Sequence, residues 1–158
     1  MPRISRSRPW GITILVADDE PAILHATTRF LKACGYSVIT AENGELALKA
    51  FAEAPHTIQL VVSDVAMPGL RGPQLVRSVR GMSPSTATLL MSGTWTTTPE
   101  DGVPLILKPF TRQTFLASVR NLLDSCDFAK IEMEQSVVKA QRLPAITGAG
   151  ASQPLTTE

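Results

Sequence analysis

The sequence predicts an α/β domain built on a five-stranded parallel sheet. Short apolar runs alternate with segments whose apolar residues recur at helical spacing, the pattern of successive βα units. Four of the runs end in groups that phosphoryl chemistry can use: Asp18-Asp19-Glu20, Asp64, Ser92-Gly93 and Lys108-Pro109-Phe110. In such a sheet the strand C-termini open on one edge, where ligands bind. Three carboxylates, a hydroxyl and an ammonium are therefore expected to converge there from distant parts of the chain.

Residues 1–10 are polar, carry Arg3, Arg6 and Arg8 with Pro2 and Pro9, and are expected to form a disordered leader. Residues 12–17 are nearly all apolar, as suits a central strand buried on both faces. Asp19 or Glu20 is placed to cap the next helix, with Pro21 near its first position. Ile23, Leu24, Thr27, Phe30, Leu31 and Cys34 form its inner stripe, and Gly35 is placed to end it in a left-handed conformation. A strand over 36–41 and the turn Glu42-Asn43-Gly44 lead to a helix over 45–54. Leu46, Ala47, Ala50 and Phe51 are its expected inner face, and Pro55 stops it.

After a strand over 58–63, Met67-Pro68-Gly69 forbids an immediate helix, and Gly72-Pro73 opens one that runs to residue 80 with Leu75, Val76 and Val79 inward. Residues 86–91 and 105–107 are the last strands. Residues 111–123 are an amphipathic helix through Phe115, Leu116, Val119, Leu122 and Leu123. A full helical crossover takes roughly a dozen residues or more, so residues 93–104 are expected to hold a loop or a single helical turn. The domain thus spans 11–125. Residues 126–143 mix apolar and charged residues, either extending the last helix or forming another. Residues 144–158, rich in Ala, Gly, Thr, Ser and Pro, are expected to be a disordered tail.

A chain of 158 residues, 44% hydrophobic and 18% charged, suffices for one such core. With 15 basic and 14 acidic residues the net charge is +1, so no global field points to nucleic acid. Cys34 and Cys126 have neither metal-ligand spacing nor the spacing of a redox pair, which suits a reducing compartment. No apolar run nears the roughly 18 residues of a membrane span, and no apolar core follows the N-terminal arginines. The expectation is a cytoplasmic protein without a nucleic-acid or membrane partner.

A carboxylate can attack a phosphoryl group and hold it as an acyl phosphate, and what such a transfer needs is positioning and charge neutralisation. Mg²⁺ takes hard oxygen ligands, and Asp18 and Asp19 suit it, with Asp64 giving one oxygen to the ion and attacking with the other. Lys108 suits neutralisation of a phosphoryl oxygen, and Ser92 donation of a hydrogen bond to another. Taken singly each group has a plainer role as a cap, a turn or a surface charge; it is their recurrence at one edge that points to a site. His25 and His56 have no partner at metal-ligand spacing and are expected at the surface.

The segments Val16-Ala17-Asp18-Asp19-Glu20, Asp64-Val65-Ala66-Met67-Pro68-Gly69, Leu90-Met91-Ser92-Gly93 and Lys108-Pro109-Phe110 resemble the receiver domain of two-component response regulators. The resemblance implies a flavodoxin-like, doubly wound sheet of strand order 2-1-3-4-5. It makes Asp64 the phosphoacceptor, Asp18 and Asp19 the acidic pair for Mg²⁺, and the backbone carbonyl of Ala66 a further ligand. It also implies a switch hydroxyl at Ser92, a phosphate-neutralising Lys108 and a cis peptide before Pro109. The implied partners are a sensor histidine kinase or phosphotransfer protein and an unidentified protein target. The implied chemistry is self-phosphorylation and autodephosphorylation rather than enzymatic turnover of a substrate.

Two features depart from that pattern. Receivers usually carry an aromatic residue three positions before the lysine, where this chain has Leu105. They usually carry a fourth helix where residues 93–104 leave room for only a shortened one or none. A receiver belonging to, or working beside, a hybrid kinase is the alternative within the family. A Mg²⁺-dependent phosphatase of the haloacid dehalogenase type is the alternative outside it, but such enzymes place a second acid two residues after the nucleophile, where Ala66 stands.

Overall fold

The computed structural model describes residues 11–94 and 102–141, with 127–141 described as helical backbone only. The expectations for the leader 1–10, the tail 144–158 and the middle of the 93–104 connection lie outside the described residues. The elements in order are β1 (Thr13–Ala17), α1 (Pro21–Ala33), β2 (Ser37–Ala41), α2 (Gly44–Glu53), β3 (Leu60–Asp64), α3 (Gly72–Met82), β4 (Ala87–Ser92), β5 (Leu105–Leu107) and α4 (Arg112–Gln141). All strand pairs are parallel, in the order β2-β1-β3-β4-β5. This is the doubly wound sheet expected, and the order reverses at β1 and β3, opening a crevice at their carboxyl ends.

The central strands are apolar because both their faces are covered. On one face Ile14, Val16, Leu60, Val62, Leu89 and Met91 meet Leu31 of α1 and Phe115, Leu116, Val119 and Leu123 of α4. On the other, Leu15, Ala17 and Val61 meet Ala47 and Phe51 of α2 and Leu75 and Val79 of α3. Phe51 and Phe115 are wholly buried, each a contribution of roughly 1.5–3 kcal/mol. The hydroxyl of Thr27, also buried, donates to the Ile23 carbonyl at 2.8 Å, leaving its methyl to the core. Gly35, at φ 91°, ends α1 as expected: its N–H donates to Lys32 and that of Tyr36 to Leu31.

Two expectations need correction. Leu46 is 49% exposed, because the line from Ala47 to Phe51 faces the sheet and Leu46 stands about 100° round the helix from Ala47. Neither Asp19 nor Glu20 caps α1 with its side chain; Asp18 Oδ1 instead accepts from the Glu20 N–H at 2.9 Å. Of the two alternatives for the stretch after 125, the structure has the extension: the last helix runs unbroken to Gln141, roughly 45 Å in all. No proline or glycine interrupts residues 112–141, so no local stop signal ends the helix within them. Between β4 and β5 the described residues contain no α-helix.

Candidate functional site

The strand register brings the polar groups to one edge. Ala17 pairs with Ser63, Asp64 with Met91, and Ser92 with Leu107, so the residues that end or follow β1, β3, β4 and β5 emerge at one level. Backbone bonds hold each exit: Asp18 N–H donates to Ala41, Val65 N–H to Met91, and Lys108 N–H to Ser92. Gly72, at the start of α3, lies so close to the Asp64 carbonyl that a Cβ there would collide with it. The helix therefore presses directly on the strand end that carries Asp64.

Carboxylate oxygens of Asp18, Asp19 and Asp64 all lie within 4.8 Å of one another, Asp18 and Asp64 buried and Asp19 exposed. Lys108 Nζ bridges two of them, at 2.8 Å from Asp18 Oδ2 and 3.1 Å from Asp64 Oδ1. The peptide bond between Lys108 and Pro109 is cis. Burial raises the Asp64 pKa above its ordinary value; Lys108 opposes this, while Asp18 and Asp19 add to it. Burial alone would lower the Lys108 pKa, but hydrogen bonds and charge from Asp18 and then Asp64 outweigh it and leave it raised. One ammonium thus faces three carboxylates, and Asp19 opens the cluster to water. The all-oxygen donor set, with its excess negative charge, fits a hard divalent cation such as Mg²⁺.

Ser92 is buried, and its hydroxyl is turned into its own loop: it donates to the Thr94 carbonyl at 3.0 Å and accepts from the Thr94 N–H at 3.2 Å. Ala66 is exposed between buried Val65 and Met67. Leu105 packs on a small apolar cluster of Val65, Val76, Leu90 and Val103. His25 and His56 are both at the surface.

Two features were not legible in the sequence. Pro21, Ala22, His25, Ala26, Arg29 and Phe30 of α1 and Arg112 of α4 line an open groove of about 830 Å³. The Arg112 guanidinium lies 6.0 Å from the Phe30 ring centroid. Glu45 also reaches the loop after Asp64, where its Oε1 accepts from the Leu70 N–H at 2.7 Å. A charged residue on an outer helix turn gives no sequence signal of a partner 25 residues away.

Comparison with known proteins agrees with this geometry. The family model described as the response regulator receiver domain matches residues 14–120. The chain is 31% identical over 121 residues to the sensor kinase CckA of Brucella abortus, covering 73% of this chain and 13% of that kinase. It is 33% identical over 131 residues to the transcriptional regulatory protein KdpE of Mycobacterium tuberculosis, covering 80% of this chain and 57% of that protein. The chain therefore spans only part of the length of these curated relatives. Among solved structures, the receiver domain from the hybrid histidine kinase CckA is similar at 37% identity and a TM-score of 0.63, covering 70% of this chain and 98% of that one. The chemotaxis protein CheY4 of Vibrio cholerae is similar at 28% identity and a TM-score of 0.63, with the same coverage. Sheet order, clustered acids and family match agree: the chain belongs to the response regulator receiver domain family of two-component systems.

Proposed function

We propose that this protein accepts a phosphoryl group on Asp64 from a phosphohistidine of a sensor kinase or phosphotransfer protein, with Mg²⁺ as cofactor, and signals by protein contact. The observation that carries the reading is the grouping of three carboxylates around one lysine at the crevice edge. Asp18 and Asp19 would hold the ion together with one oxygen of Asp64 and the carbonyl of Ala66. When bound, the ion offsets negative charge on the transferred group. The other Asp64 oxygen attacks phosphorus, an O–P bond forms, the P–N bond of the donor breaks, and the imidazole leaves with the electron pair and takes up a proton. Lys108 is within reach of Asp64 and neutralises a phosphoryl oxygen. Ser92 gives up Thr94 and donates its hydroxyl to another.

The groove along α1, the helix that follows Asp19, carries Arg29 and Arg112 with small alanines between, which suits an acidic helical donor surface. In this reading residues 11–125 are the receiver unit and the rest of α4 is a helical extension. Its work is cytoplasmic, and it turns over no substrate beyond its own phosphorylation and dephosphorylation. The similarity to the CckA kinase and to its receiver favours a second version of the reading, a receiver belonging to or serving a hybrid kinase. Treatment with acetyl phosphate and Mg²⁺ tests the proposal. A stable singly phosphorylated protein is expected. Rapid release of phosphate with continuous turnover would instead identify a phosphatase, and no reaction would mark a decayed site.

A further inference from the structure

We propose that Glu45, on the first turn of α2, is a positioning residue for the loop that follows Asp64 and so for the backbone oxygen offered to the cation at Ala66. The inference rests on the metal-dependent reading above and adds a residue from another helix to it.

The loop from Val65 to Arg71 is fixed at both ends. Val65 N–H donates to Met91 and Gly72 N–H to the Val65 carbonyl, while Arg71 N–H is held by Gln74 Oε1 at 3.0 Å. Between these ends Ala66, Pro68 and Gly69 are exposed. Glu45 reaches this stretch from outside the loop, with its Oε1 accepting from the Leu70 N–H at 2.7 Å. The approach is built into the backbone on both sides. Gly44 lies against the Leu70 carbonyl, so that a Cβ there would collide with it. Gly69, at φ 72°, lies against the Glu45 carboxylate, so a side chain there would displace the end of Glu45. A charge-assisted bond of this length is stronger than a neutral one, and it connects to Ala66 through only Met67, Pro68 and Gly69. Met67 is buried in the α2–α3 core and Pro68 has a fixed φ, so few free torsions separate Leu70 from Ala66.

The test separates the hydrogen bond from the charge. Glu45→Ala removes both, whereas Glu45→Gln removes the charge and keeps an acceptor oxygen. In the metal-free protein, Glu45→Ala should speed amide exchange at Leu70 about fivefold. Exchange at Leu46, whose N–H is held by Asn43 Oδ1, should be unchanged because the start of α2 stays intact. In a Mg²⁺ titration followed by NMR, Glu45→Ala should raise the Kd about tenfold, and Glu45→Gln should restore most of the affinity. Equal Kd values for wild type and Glu45→Ala, or a Glu45→Gln variant as weak as Glu45→Ala, would overturn the positioning role. A wild-type protein that does not respond to Mg²⁺ at all would overturn the metal-dependent reading itself.

Discussion

The two halves of the site edge are built differently. On the β1–β3 side the acids sit on strand ends buried on both faces, tied by backbone hydrogen bonds and pressed by Gly72. On the β4–β5 side the Ser92 hydroxyl bonds, among the described residues, within its own loop, and Leu105 lies half-buried over a small apolar cluster. The first half is a rigid cradle in which charge is concentrated before any ligand arrives. The second has a hydroxyl that can exchange one hydrogen-bond partner for another with little disturbance to packing. Under the proposed function, the contrast assigns binding to groups fixed in advance on β1 and β3, and the response to the hydroxyl at the end of β4.

The largest effect should come from Lys108, which reaches into the cradle from the end of β5. Lys108→Ala should slow phosphorylation by acetyl phosphate roughly a hundredfold, because a phosphoryl oxygen loses its counter-charge; a rate within threefold of wild type would show that the cradle does not depend on it. Next, Asp19→Asn should weaken Mg²⁺ binding roughly tenfold with little change in metal-free melting, since Asp19 is exposed; Mg²⁺-dependent melting shifts read this directly.

A smaller effect concerns stability and its sign with pH. The Asp64 pKa is raised in the folded state, so the native protein holds a proton that the unfolded chain has already lost. Its contribution to stability therefore falls as pH rises from the ordinary carboxylate value through the raised one. In metal-free protein Asp64→Asn should melt higher than wild type at neutral pH, and the difference should vanish in acid. Saturating Mg²⁺ should stabilise wild type by about 2.7 kcal/mol at a hundredfold excess over Kd, and the variant less. The smallest effect is local. With a beryllofluoride mimic of the phosphoryl group, the largest amide shift changes should fall at Ser92, Gly93 and Thr94, with smaller ones at Leu105. A response confined to β5, with Ser92 to Thr94 silent, would reverse the contrast between the two halves.

The cradle was legible in the sequence because its causes are local and repeated. Apolar runs ending in acids declare buried strands with polar exits, and Gly35, Met67-Pro68-Gly69 and Gly72-Pro73 punctuate the chain where the backbone turns. What was not legible depended on contact between distant surfaces. The exposure of Leu46 follows from how α2 rolls on the sheet, which helical periodicity alone does not fix. The continuation of α4 past 123 follows from helix propensity in a stretch without a stop signal, where weakened amphipathicity left an extension and a separate helix equally open. The groove lined by Arg29 and Arg112 joins two helices far apart in sequence, and the Glu45 contact joins the first turn of α2 to the loop after β3.

The most direct test of the account is intact-mass measurement after treatment with acetyl phosphate, with and without Mg²⁺, on wild type and Asp64→Asn. The account predicts one added phosphoryl group on wild type only when Mg²⁺ is present, and none on Asp64→Asn under either condition. Labelling retained in Asp64→Asn, or labelling of wild type that is indifferent to Mg²⁺, would contradict it.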